Sequence, residues 1–178
     1  HDSPAMMREL LSDVGPIDQG STDKIHYAVD IGDVRLVALD SSVPGKPHGK
    51  LGEAQLAWLD RTLAESDRPT LIAVHHPPAA TGIAHMDRIG LTDSAAFAEV
   101  LARHAHVQRV MCGHIHRTII ASVGGTVMTL APSTGHQVHL DLGDEEAGKF
   151  IMEPPGFFLH HHTPDSGVVT HLAYVEAF

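Results

Sequence analysis

Asparagine is absent from the 178 residues, and cysteine occurs once, at Cys112. A single thiol closes no internal disulfide, and the count suits a reducing cytoplasm. No apolar run approaches the roughly 20 residues that a membrane span needs. The opening HDSPAMMREL has neither the basic start nor the apolar core of a signal peptide. Positive charge is short as well: 12 Lys and Arg stand against 22 Asp and Glu, a formal net charge of −10. That balance argues against a nucleic-acid polymer or an anionic membrane as partner. An anionic small molecule would have to be attracted locally, which metal ions do well.

Histidine, by contrast, is abundant, at 16 residues. Hydrophobic residues make up 43% and charged residues 19%, the proportions of a soluble globular chain. The length fits one domain over 1–178 with a sizeable core. Because residue 1 is His rather than Met, a processed or partial chain is expected.

Ser3, Pro4 and the spacing of Met6, Met7, Leu10 and Leu11 predict a helix that closes at Gly15-Pro16. Residues 24–31 and 35–40 read as strands joined by a Gly32-Asp33 hairpin turn. After the loop SSVPGKPHG comes a helix over 53–65, with Leu56, Leu59 and Leu63 on one face. A strand over 70–75, a long loop over 77–92 and a helix over 95–104, capped by Asp93 or Ser94, follow. Next come a strand over 107–112 and two more, 118–123 and 126–131, around Gly124-Gly125. A last hairpin spans 157–163 and 168–175. The strand–helix alternation and β-rich end predict an α/β fold of two packed mixed β-sheets flanked by helices.

Two apolar strands run straight into histidines: TLIAV into His75, and VQRVMCG into His114-Ile115-His116. Ligands of α/β proteins gather beyond the carboxyl ends of strands. There imidazoles offer neutral nitrogen donors to a metal. Gly113 is expected to permit a tight turn that a side chain would obstruct, and the prolines after His76 to hold His75 in place. Most other histidines (His26, His48, His104, His106, His139 and His171) take the ordinary surface or hydrogen-bonded reading. The run His160–His162 alternates across a strand and cannot face one site.

The pair VHHPP and CGHIH, in this order and roughly forty residues apart, resembles the calcineurin-like metallophosphoesterases. It is most similar to the branch of class III cyclic nucleotide phosphodiesterases and bacterial glycerophosphodiesterases. His1-Asp2 is similar to the end of that family's Gly-Asn-His-Asp motif, and VRLVALDSS, AHMD and GHQV also fit. The resemblance implies an αββα sandwich that lacks its N-terminal strands here. It also implies that His75 and His114 bind one metal and His116 the other. His1 would contact the phosphate or protonate the leaving oxygen, His136 would line the substrate pocket, and His76 would stand behind the ligands. The family's Asp-x-His and Gly-Asp motifs, and its ligand Asn, would all precede His1.

The resemblance thus implies two ions of the Fe, Mn, Zn or Co type in the intact protein, and one or none in this chain. Phosphodiester hydrolysis by a metal-activated hydroxide is the expected reaction, on cyclic nucleotides or glycerophosphodiesters. The chain alone is expected to have little or no activity, and a homodimer or higher homo-oligomer would cover its exposed sheet edge. Segments 77–92 and 135–157 are expected to wall the pocket, with Met86, Phe150 and Phe157 packing in the core. The alternatives are a non-catalytic metal-binding scaffold and, lower in rank, an iron enzyme using oxygen.

Overall fold

The computed structural model describes residues 3–13, 15–17, 24–143 and 148–175. Helix α1 (Pro4–Leu11) starts at its proline, as expected. Strands β1 (Tyr27–Ile31) and β2 (Val34–Leu39) then pair antiparallel, with Ile31 opposite Val34. Gly32 turns between them at φ 59°, the left-handed conformation that a two-residue hairpin needs.

From β2 the chain runs through α2 (Glu53–Ala64) to β3 (Thr70–Val74), which lies parallel to β2. It continues through α3 (Ala84–Asp87) and α4 (Ser94–Ala102) to β4 (Val107–Cys112), parallel to β3. The hairpin of β5 (Ile119–Val123) and β6 (Thr126–Leu130) completes a six-stranded mixed sheet, ordered β1-β2-β3-β4-β6-β5.

Alternation along the strands decides which face is covered. Val37, Ile72, Val110 and Met128 point to one face and are fully buried. There they pack with Leu56, Leu59 and Leu63 of α2 and Phe97, Val100 and Leu101 of α4. Each such side chain contributes about 1.5–3 kcal/mol through removal from water. The opposite face carries Leu36, Leu71, Arg109 and Met111, all half-buried. Against β4 lies a hairpin of β9 (Gly156–Thr163) and β10 (Gly167–Tyr174), anchored by an Arg109 Nη2 bond to the Val168 carbonyl at 2.8 Å. Among the described residues this hairpin supplies the second layer of the α/β fold. A two-residue pair, β7 (Gln137–Val138) and β8 (Phe150–Ile151), stands apart. No described helix is long and apolar enough to cross a membrane.

Several expectations are corrected. Helix α3 lies inside the segment read as loop, and the β7–β8 pair was not anticipated. Asp93 occupies the N-cap position of α4 but gives that helix no side-chain cap. Its carboxylate instead accepts from the amides of Leu51 (3.0 Å) and Gly52 (2.7 Å), tying the start of α2 to that of α4. Met86 is core, but Phe150 and Phe157 are 67% and 45% exposed, because their strands lie outside the sheet. His26 is neither surface nor hydrogen-bonded through Nδ1; it packs on Trp58 with ring centroids 4.4 Å apart.

Candidate metal centre

Sheet register brings the histidine motifs together. Ala73 pairs with Met111, so the carboxyl ends of β3 and β4 lie side by side. Beyond them the Gly113 amide donates to the His75 carbonyl at 3.1 Å. On the other flank Leu39 pairs with Val74, which sets Ser41 beside His76.

A side chain at Gly113 would crowd the site, as expected. The glycine's φ is not left-handed; a β-carbon there would sit 3.3 Å from His75 Nδ1, so glycine makes room for that ring. The turn itself is made by His114 and His116, at φ 69° and 55°. A non-glycine residue in that region costs about 1–2 kcal/mol, and such strain concentrates at functional sites. The backbone is bent so that these two imidazoles emerge where they do.

His75 Nε2 and His114 Nδ1 lie 3.3 Å apart. Two nitrogens sharing one tetrahedral ion at about 2.0–2.1 Å each would be about 3.4 Å apart. The spacing of these two donors therefore fits a metal. His76 completes a group of three imidazoles whose ligand atoms lie within 4.8 Å of one another. Burial, reinforced by His75, pushes the His76 pKa down to about 4. His114 is likewise held at about 4 by burial and by His76 and His75. His75 reaches solvent, yet the protein packed around it, and then His116, lower its pKa too. These rings are neutral near pH 7, the form that donates a lone pair.

His116 stands outside that group. Its Nδ1–H donates to the His136 carbonyl at 3.2 Å, which leaves the Nε2 lone pair free. A second ring nitrogen tied to a carbonyl is the usual support of a metal-binding histidine. His136 itself is exposed, with its ring 5.0 Å from that of His116 and 4.5 Å from that of Phe150. The segment is placed by residues that sequence reasoning missed. Arg117 donates to the Val138 carbonyl at 2.7 Å and pairs with Glu153 at 3.1 Å. The buried Gln137 side chain donates to the Ser133 carbonyl at 2.8 Å. Only the adjacency of Arg117 to GHIH signalled a role.

The structure thus gathers His75 and His114, adds His76, and sets His116 with His136 to one side. His1 lies outside the described residues. The 77–92 loop encloses a cleft of about 200 Å³ lined by Pro77, Pro78, Asp87 and Leu91 among others, and by none of these histidines.

A six-stranded mixed sheet with helices packed on one face defines an α/β fold, and known structures share it. A dimetal phosphatase from Danio rerio superposes with a TM-score of 0.58 at 19% identity, covering 74% of this chain and 56% of that one. Purple acid phosphatase PPD1 from yellow lupin gives 0.61 at 13% identity, covering 90% and 32%. No protein-family model matches the chain. Among curated proteins, the probable glycerophosphodiester phosphodiesterase GpdQ of Arcobacter nitrofigilis is 37% identical over 147 residues, 82% of this chain and 54% of that protein. A probable cyclic nucleotide phosphodiesterase of Synechococcus is 44% identical over 124 residues, 68% and 48%. The cyclic adenosine monophosphate phosphodiesterase CpdA of Escherichia coli K12 is 40% identical over 101 residues, 56% and 37%. The chain spans about half the length of the curated relatives it matches. It belongs to the calcineurin-like metallophosphoesterase family.

Proposed function

We propose that the chain carries one side of the metal centre of a phosphodiesterase. His75 and His114 hold one divalent ion, and His116, through its free Nε2, holds a second in the intact protein. The observation that carries this reading is the 3.3 Å approach of His75 and His114 at the ends of neighbouring parallel strands. The names of the relatives support phosphodiesters, cyclic nucleotides or glycerophosphodiesters, as substrates. Bound ions would neutralise phosphoryl oxygens and make hydroxide available near neutral pH. The chain's own contribution is orientation: left-handed backbone aims His114 and His116, and the His136 carbonyl fixes the tautomer of His116. His136 lies at the substrate side, and His1 assists the leaving oxygen.

The test is hydrolysis of bis(p-nitrophenyl) phosphate, cyclic AMP and glycerophosphoethanolamine by the whole encoded protein supplied with Mn²⁺. Turnover that His114→Ala abolishes is expected, while the 178-residue chain alone turns over little or nothing. Bound metal without turnover in the whole protein would replace the enzyme with a metal-binding scaffold.

A further inference from the structure

His76 is 7% exposed, and both of its ring nitrogens are engaged. Nε2 lies 3.2 Å from the Pro47 carbonyl, which can only accept, so Nε2 carries the proton. Nδ1 then bears the lone pair, and the Ser41 hydroxyl, 2.8 Å away, donates to it. Ser41 Oγ also faces the His76 amide at 3.4 Å. The neutral Nε2–H form is the tautomer that satisfies both neighbours.

The loop that supplies these partners is itself cinched. Lys24 Nζ donates to the carbonyls of Asp40, Ser42 and Lys50 at 3.0, 2.8 and 2.9 Å, drawing the two ends of the segment together. Gly49 bonds to Gly90 and Thr92 across the neighbouring loop. Glycine is required at 49 because a β-carbon would stand 2.4 Å from His76 Cγ. On its other side the His76 ring meets those of His114 and His75, with centroids 4.6 and 4.9 Å apart. Proximity alone would count His76 as a third ligand. Its one lone pair, however, is directed at Ser41.

We infer that His76 is a positioning residue for the metal centre, locked as the Nε2–H tautomer between Ser41 and Pro47, and that it sets the His75 and His114 rings without binding the ion. The inference rests on the proposed His75–His114 metal site. It predicts opposite responses from the two roles. Removing the Ser41 hydroxyl unlocks a positioning ring and weakens metal binding, but it would free the lone pair of a ligand and leave binding unchanged or stronger.

The experiment uses the whole encoded protein, with Zn²⁺ as probe. Two-bond proton–nitrogen correlation NMR of the histidine rings reads each tautomer before and after the metal is added. The expected result is His76 in the Nε2–H form in both states, with ring-nitrogen signals of His75 and His114 shifting on Zn²⁺ addition. Ser41→Ala is expected to weaken Zn²⁺ binding about tenfold, the usual scale for a residue behind a ligand. An Nδ1–H tautomer, a Zn²⁺-induced shift of the His76 Nδ1 signal, or unchanged or tighter binding in Ser41→Ala overturns the inference and leaves the metal site intact. No Zn²⁺ response at His75 and His114 overturns the metal site, and this inference with it. Should Ser41→Ala fail to fold, the spectra of the unaltered chain decide.

Discussion

The two sides of the candidate centre are built in different ways. His75, His76 and His114 stand at the ends of central strands, and strand register places their partners: Gly113 beside His75, Ser41 beside His76. His116, on the same turn as His114, bonds to the His136 carbonyl, and His136 leads into a short β7–β8 pair clamped by Arg117 and Gln137, with Phe150 exposed beside it. On the first side the sheet does the positioning, so its geometry is as stable as the core. On the second, single side-chain bonds do it, and each can be lost alone. Removing groups from the two sides should therefore have unequal effects.

Metal affinity should show the largest difference. His114→Ala removes one of the two nitrogens that face each other at 3.3 Å, and Zn²⁺ binding should fall by about 100-fold or more. His116→Ala should lower it by less than about tenfold, since that ring stands outside the cluster. Calorimetric titration of both variants checks this, and equal losses would mean that one ion spans both sides.

Packing gives the next contrast. A β-carbon at Gly49 would overlap the His76 ring, whereas one at Gly135 meets only Ser133 Oγ at an ordinary 3.6 Å. Gly49→Ala should cost about 2–3 kcal/mol in urea unfolding, and Gly135→Ala less than about 0.5 kcal/mol. Similar values at the two positions would contradict the asymmetry.

The same division separates what the sequence revealed from what it hid. The strand-end side was legible because apolar runs ending in His75 and in Gly113-His114 carry the signal in adjacent residues. The β1–β2 turn at Gly32-Asp33 and the Leu56, Leu59, Leu63 face of α2 were legible for the same reason. What stayed hidden depends on distant partners. Asp93 looked like the cap of its own helix, but its carboxylate serves amides about forty residues earlier. Gly113 was legible as a position where a side chain would obstruct, but neither the ring it spares, that of His75, nor the left-handed backbone of His114 and His116 was. Phe150 looked like core because hydrophobicity alone does not tell a two-residue strand at the rim from one inside the sheet.

Acid should expose the buried side next. His76, at about 4, and His26, also lowered by burial, have folded pKa values below the ordinary 6.5. Between those values the unfolded chain binds more protons than the folded one, so stability rises with pH across the window. The His76 contribution is complete above about pH 6.5 and is lost as pH falls toward 4, and His26 adds to it in the same direction. At about 1.4 kcal/mol per unit, His76 alone should remove about 2 kcal/mol from the metal-free chain between pH 7 and pH 5. His114, also at about 4, adds a similar loss, so the difference in urea midpoints between the unaltered chain and His76→Gln at the two pH values measures the His76 share. A flat profile would mean that His76 meets solvent freely and that the buried side is not rigid.

The smallest effect should come from Phe150. Its ring is 67% exposed and meets His136 edge-on, so it adds little to the core. Phe150→Ala should change the unfolding free energy by less than about 0.5 kcal/mol, as is usual at exposed positions. A buried phenylalanine would cost about 3–5 kcal/mol by the same substitution, so the two cases are easily told apart. A loss above about 1 kcal/mol would show that the 136–152 segment is packed as firmly as the strand ends. His116 would then be as well positioned as His114, and their unequal metal affinities would need a different cause.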